Sequence, residues 1–243
     1  MIFVVSGEGP SDMGACTNQI GQCSGADFRH GPMAVIVDKV VEGEINYSLL
    51  DSTAMEFISE MRLTGLSREL PMALSAGKKR DYETAYHFKA ARALAKLAEG
   101  RRAAEKCEVG AVLFRDADGT RSNERGLYEA KWKSIEDGFA AEAFPHGVPM
   151  VPKPKSEAWL LCALEVNPYQ QCADLEESLS GNDNSPNPAK AQLDARLIPM
   201  GKKVTDLSET VSDGMIDPGK IDMPSFNRFR DRLLEVTRAM RAA

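Results

Sequence analysis

The chain predicts an α/β fold, a mostly parallel sheet flanked by helices, with extra helices toward the C-terminus. Three observations carry that expectation. Short apolar runs at Ile2–Val5, Val109–Phe114 and Val148–Val151 read as buried strands. Between them lie segments with three- and four-residue apolar spacing. The clearest is Asp81–Gly100, where Phe88, Ala91, Leu94, Ala95 and Ala98 form one stripe. Strands alternating with helices imply crossover connections, hence parallel pairing with helices on both faces.

Taken in order, Ile2–Val5 is a central strand and the turn-rich loop GEGPSDMG follows it. Ser24–Gly31 reads as irregular, and Pro32 suits the first turn of a helix across Met33–Val41. Ile45–Leu50 is expected as a strand and Thr53–Arg62 as a helix, with Met55, Ile58 and Met61 on one face. Pro71–Leu74 is expected as a short strand. Gly100 is expected to stop the long helix, and a further helix covers Leu127–Phe139. After Pro152–Lys155, Ser156 is placed as N-cap of a helix over Glu157–Leu164. Asp174–Leu179 and Lys190–Leu197 read as helices around the loop SGNDNSPNP, while 201–222 yields no assignment. Ser225–Met240 closes the chain as a helix with Phe226, Phe229, Leu233, Val236 and Met240 facing inward.

The 243 residues are 43% hydrophobic and 27% charged, enough to bury a sizeable core. No run approaches ~18 consecutive apolar residues, so no membrane partner is expected. MIFVVSGEG lacks a positive leader and reads as a strand, not a signal peptide. Five cysteines without CxxC spacing indicate neither a zinc site nor a disulfide framework, and a cytoplasmic location is the simplest expectation. His30, His87 and His146 are scattered, as loop or surface histidines would be. A net charge of −6 argues against generic charge-driven nucleic-acid binding, yet Lys78–Lys106 holds nine Lys or Arg against four Asp or Glu. That segment is either a phosphate-facing patch or an ordinary solvated helix face.

Chemistry gathers around VGAVLFRDADGT. Asp116 and Asp118 stand two residues apart just past a strand end, where like charges repel unless a cation or proton sits between them. Glu8 and Asp12 follow the first strand in GEGPSD. Ligands of α/β sheets gather at the carboxyl ends of strands, so four carboxylates there form a candidate site. Oxygen-only donors suit Mg²⁺ or Mn²⁺.

A glutamate after strand one in an EGxxD context, followed by a DxD pair ending a later strand, resembles the Toprim domain. Toprim domains occur in topoisomerases, DnaG-type primases and OLD-family nucleases. Asp12, four positions after Glu8, resembles the OLD-like variant; PKPKSEAWLL and SFNRFRDRL resemble segments of small stand-alone Toprim-like proteins, some encoded beside ATPases in bacterial defence-like operons. The resemblance implies a Toprim/Rossmann-like domain over 1–170 with a helical insertion near 81–106, and a C-terminal helical extension over 171–243 packed on it. It also implies Glu8, Asp12, Asp116, Asp118 and Glu157 as Mg²⁺ or Mn²⁺ ligands. Lys153 or Lys155 matches the late basic residue of OLD-like nucleases.

The implied activity is metal-dependent phosphodiester cleavage of nucleic acid, in a phage-defence setting. The chain has no GxxxxGK[ST] P-loop, so an ATPase would be a separate partner. The basic helix and its Tyr82 and Tyr86 are candidates to hold the backbone and stack bases. Two other functions compete. DADGT also matches the nucleophile loop of haloacid-dehalogenase-type phosphatases, although that motif normally lies on a first strand. A non-catalytic partner subunit of an ATPase is the third. The chain also allows a homo-oligomer.

Overall fold

The computed structural model describes residues 1–71, 82–117, 127–165 and 172–243. A five-stranded sheet forms its centre, built from β1 (Ile2–Gly7), β3 (Gln22–Ser24), β5 (Met55–Ser59), β6 (Val109–Phe114) and β7 (Gly147–Met150), in the order β3-β5-β1-β6-β7. Four neighbours, β5, β1, β6 and β7, run parallel, and β3 pairs antiparallel on the β5 edge. This is the α/β class expected, consistent with a Rossmann- or Toprim-like sheet. A second ribbon of β2 (Gly14–Cys16) and β4 (Phe28–His30) stands beside it.

The first parallel connection leads from β1 to β5 on one side, and the next returns to β6 on the other side of β1. The strand order therefore reverses between β1 and β6. Such a reversal opens a crevice at the carboxyl ends of the two strands, the usual ligand position of open α/β sheets. Register fixes where the crevice lies, because Gly7 pairs with Phe114 and both strands end there.

Helices cover both faces. α1 (Pro32–Ile45) and α9 (Pro224–Ala242) pack together, and α9 also lies on β6 and β7. α3 (Tyr82–Glu105) packs on β1, β6 and α4 (Leu127–Ala141), and α2 (Glu60–Glu69) on α3. Residues 82–105 thus serve as a crossover helix between β5 and β6, integral to the cover of the sheet. Their buried stripe is His87, Ala90, Ala91, Leu94, Ala95 and Ala98, with Phe88 half-buried beside it. Gly100 does not end α3. A side chain there would meet only open space, and Arg101 bonds Glu105 one turn on at 3.0 Å. Glycine's helix penalty of about 1 kcal/mol is too small to break a helix anchored along its length.

Two expected elements exchange places. Ile45–Leu50 is not a strand, because α1 runs to Ile45 and Asn46 closes it in the left-handed region at φ 54°. The buried Asp38 carboxylate then accepts the Leu49 N–H at 2.6 Å and the Leu50 N–H at 3.2 Å, which holds this segment as a turn. The strand comes later, as β5, where a helix was expected across Thr53–Arg62. Met55 and Ile58 are buried there in parallel register with β1, while Met61 is 78% exposed on α2. Their three-residue spacing was coincidental. The expected strand at Pro71–Leu74 falls almost wholly outside the described residues.

The C-terminal third contributes α5 (Ser156–Leu164), α6 (Cys172–Ser178), α7 (Ala189–Leu197), α8 (Leu207–Ser212) and α9. Trp159 of α5 is fully buried, stacked on Phe229 and edge-on to Phe226, and its indole N–H donates to Ser225 Oγ at 2.8 Å. α9 therefore fixes α5 against the sheet. The inward face expected for the closing helix is present, since Phe226, Phe229, Leu233, Val236 and Met240 are all buried.

The cysteines correct another expectation. Cys16 is bonded to Cys23 and Cys162 to Cys172, with Cα separations of 5.7 Å and 5.4 Å, leaving Cys107 free. The turn between β2 and β3 and the approach of α6 to α5 bring each pair together, and no local motif announces this. Described helices include none long and apolar enough to cross a membrane. Thiol titration of unreduced, denatured protein should find one reactive thiol, with five after reduction; five without reduction would remove both pairs.

Candidate functional site

The site is built where β1 and β6 end. Gly7 leaves no room for a side chain, since a Cβ there would collide with Met13 and Phe114. The chain can therefore fold back over the strand end with Met13 fully buried. Gly9 takes φ 74°, a left-handed conformation that favours glycine, and the turn Gly9–Met13 follows. Glu8 and Asp12 are fixed at the two ends of this turn. That is the physical content of EGPSD: one glycine for close approach, one for the sharp bend.

Glu8 then reaches across the crevice. Its Oε1 accepts the backbone N–H of Asp116 at 2.7 Å, joining the β1 loop to the β6 loop. Asp116 Oδ1 accepts the backbone N–H of Ser156 at 3.0 Å. Ser156 is the first residue of α5, and Lys155 before it makes no side-chain cap. Asp116 therefore caps α5 from another element, where the positive end of the helix dipole favours a carboxylate. The Ser156 hydroxyl, expected to cap its own helix, instead lies between two acids, 2.7 Å from Asp12 Oδ1 and 3.4 Å from Glu157 Oε2.

Glu8, Asp12, Asp116 and Glu157 thus converge, although 149 residues of numbering separate the first from the last. Burial pushes the Asp116 carboxyl well above the usual carboxylate range, and the charges of Asp12, Glu8 and Glu157 push it further; the Ser156 N–H opposes them. Asp12 is raised as well, chiefly by burial, then against its bond from Ser156 and with Glu157 adding to the rise. Among the described residues, no three His, Cys, Asp or Glu side chains stand in a ready-formed metal-holding arrangement. The Ser156 hydroxyl lies between Asp12 and Glu157. Asp118 lies outside the described residues.

Lys153 and Lys155 are placed elsewhere. Lys153 pairs with Glu177 and Lys155 with Asp183 at 3.5 Å, both acids of the C-terminal segment. Among the described residues, Lys131 of α4, buried at 2% exposure, donates its Nζ proton to the Asp116 carbonyl at 3.1 Å. Nothing in the sequence singles out Lys131 among its neighbours. Arg115, fully buried, donates to the Phe114 carbonyl at 2.8 Å and lies over the Tyr86 ring. Tyr86 is half-buried and donates to Glu60 Oε1 at 2.6 Å, so it serves this network and is not free to stack bases. The Tyr82 side chain lies outside the described residues.

Two further expectations change here. His87 is buried, not on the surface, and burial with the charges of Arg115 and Lys131 depresses its imidazole to about 3. On the basic helix, Arg92 and Lys96 pair with Glu142, Arg101 with Glu56 and Glu105, and Arg102 with Glu99 and Glu108. Much of its charge is neutralised within the fold.

Comparison of the chain with protein-family models, curated proteins and solved structures returns no match. The site is therefore interpreted from its own chemistry.

One consequence is measurable in the metal-free protein. A carboxyl with a raised folded pKa is favoured protonated, so its contribution is present below the unfolded value near 3.8 and is lost as pH rises through the folded value. Asp116→Asn keeps the acceptor for Ser156 N–H and cannot ionise. In EDTA, its urea midpoint should gain on wild type progressively from about pH 4 upward; a constant difference between the two proteins would contradict the raised pKa.

Proposed function

We propose that this chain is a Toprim-like, metal-dependent nuclease, cleaving phosphodiesters of nucleic acid with Mg²⁺ or Mn²⁺. The observation that supports this most is the convergence at the strand-order reversal of Glu8 on the Asp116 N–H, Asp116 on the Ser156 N–H and Asp12 on the Ser156 hydroxyl, beside Glu157. Such a cluster is costly to ionise alone and becomes stable beside a divalent charge.

The donor set fits a hard cation. All four groups offer oxygen, and the held oxygens are Glu8 Oε1 and Asp116 Oδ1, each accepting a backbone N–H. Glu8 Oε2 and Asp116 Oδ2 accept no hydrogen bond among the described residues. One oxygen fixed and one open is how outer bonds orient a metal-binding carboxylate. Glu8, Asp12, Asp116 and Glu157 would hold the ion, with Asp118 of the same loop as a further donor. When bound, the ion would polarise a phosphoryl oxygen and lower the pKa of an attacking water.

The protein's own groups do the positioning. The Ser156 N–H aims Asp116, and the Ser156 hydroxyl spaces Asp12 from Glu157. Lys131 anchors the Asp116 carbonyl and so the start of the DxD loop. Because the Asp116 carboxyl pKa is raised by burial and by the neighbouring acids, metal affinity would rise with pH. Lys153 and Lys155, tied to Glu177 and Asp183, have no part in this account. A separate ATPase partner and a role in phage defence remain attached to the Toprim resemblance and extend the same proposal.

Purified protein should cut plasmid, single-stranded DNA or RNA when Mg²⁺ or Mn²⁺ is supplied. Asp116→Ala should abolish cleavage with circular dichroism unchanged, and Ser156→Ala should slow it about 10- to 100-fold. Hydrolysis of phosphate monoesters without polynucleotide cleavage would replace this function with the phosphatase one. Partner association without any hydrolysis would leave a binding subunit.

A further inference from the structure

A crevice of about 440 Å³ opens beside the acidic cluster, over the carboxyl end of β5. One wall is Gly7, Gly9 and Pro10, the chain that carries Glu8; the other includes Phe57, Ser59 and Met61. Its volume lies within the range of small-ligand sites. Gly21 also lines the crevice, and its carbonyl accepts the Ser59 N–H at 2.8 Å. At the rim stand two exposed apolar side chains, Ile20 at 67% and Met61 at 78%.

Charge decides what part of a ligand enters. No Lys or Arg lines the crevice among the described residues, and its one charged lining group is Glu60. That carboxylate is already engaged by Tyr86 and lies 3.6 Å from Arg115. A phosphate would therefore not settle here. A flat, uncharged ring would, against the Phe57 side, where Phe57 is itself stacked on Phe28 with ring centroids 5.0 Å apart. Because Gly9 lines the crevice and a Cβ there would stand 2.7 Å from Asp12 Oδ2, a ring in the crevice lies near the acids.

We infer that this crevice receives an unpaired nucleobase adjoining the scissile phosphate, so that the substrate is single-stranded nucleic acid. The inference rests on the nuclease function proposed above. A paired base within a duplex hides both faces in the stack, and a pocket for a free ring selects against it.

The test uses the full chain with Ca²⁺, and fluorescein-labelled oligothymidylate as the probe, against a duplex of equal length. Met61→Glu and Gln19→Glu alter exposed lining residues without touching the core, and Met61→Leu serves as the conservative control. Anisotropy should show tighter binding of the single strand. Met61→Glu should weaken that binding about tenfold, Met61→Leu should not, and duplex binding should be unchanged by either. Cleavage of single strand and duplex alike, indifferent to Met61→Glu, would overturn the crevice assignment and leave the nuclease standing. Selective binding that Met61→Glu weakens, with no cleavage under Mg²⁺ or Mn²⁺, would keep the crevice and remove the nuclease.

Discussion

The bond from the Asp116 N–H to Glu8 Oε1, 2.7 Å long, ties together everything else at the carboxyl edge of the sheet. It is possible only because β1 and β6 are parallel neighbours ending in register at Gly7 and Phe114. Once it forms, the loop after β6 is directed at the start of α5, and Asp116 becomes the acceptor that this helix otherwise lacks. The site is a set of mutual obligations between carboxylates that repel and backbone N–H groups that need acceptors. Backbone donors satisfy half of each key carboxylate, which makes the repulsion tolerable.

How much of this was legible in the sequence follows from the range of the forces involved. β1, β6 and β7 could be read because strands covered on both faces are continuously apolar, and α9 because its stripe from Phe226 to Met240 repeats over about four turns. β5 could not, because in MEFIS the residues next to the future α2 mimic a helical period; pairing with β1 overrides local preference. Asp38 shows the same lesson in reverse. One acid among three in this helix carries no local signal, yet its bonds from Leu49 and Leu50 decide that the following segment turns.

At the site, Glu8, Asp12 and Asp116 were legible as acids at strand ends, and Glu157 through a resemblance. The glycines around Glu8 were legible as turn formers, though not for the close packing of Met13. Ser156 was read as a cap because local geometry offers that role to any serine at a helix start. It is diverted by two acids that only the fold brings near. Lys131 and the cysteine pairs were out of reach for the same reason, since nothing within a few residues distinguishes them. Lys153 and Lys155, conspicuous in sequence, pair with acids 24 and 28 residues further on, partners that no local pattern marks.

The clamp of Trp159 between Phe226 and Phe229 carries a consequence for synthesis. The acids come from the first loop, the loop after the middle strand and α5, but α5 is clamped by a helix that lies well downstream of all of them. While the ribosome is still building residues 224–242, the emerging chain already contains every acid of the cluster without the fastening that brings α5 to the other two segments. Trp159 can enter its aromatic clamp only once α9 has been made. A chain released early, or clipped ahead of that helix, carries the residues but not that clamp.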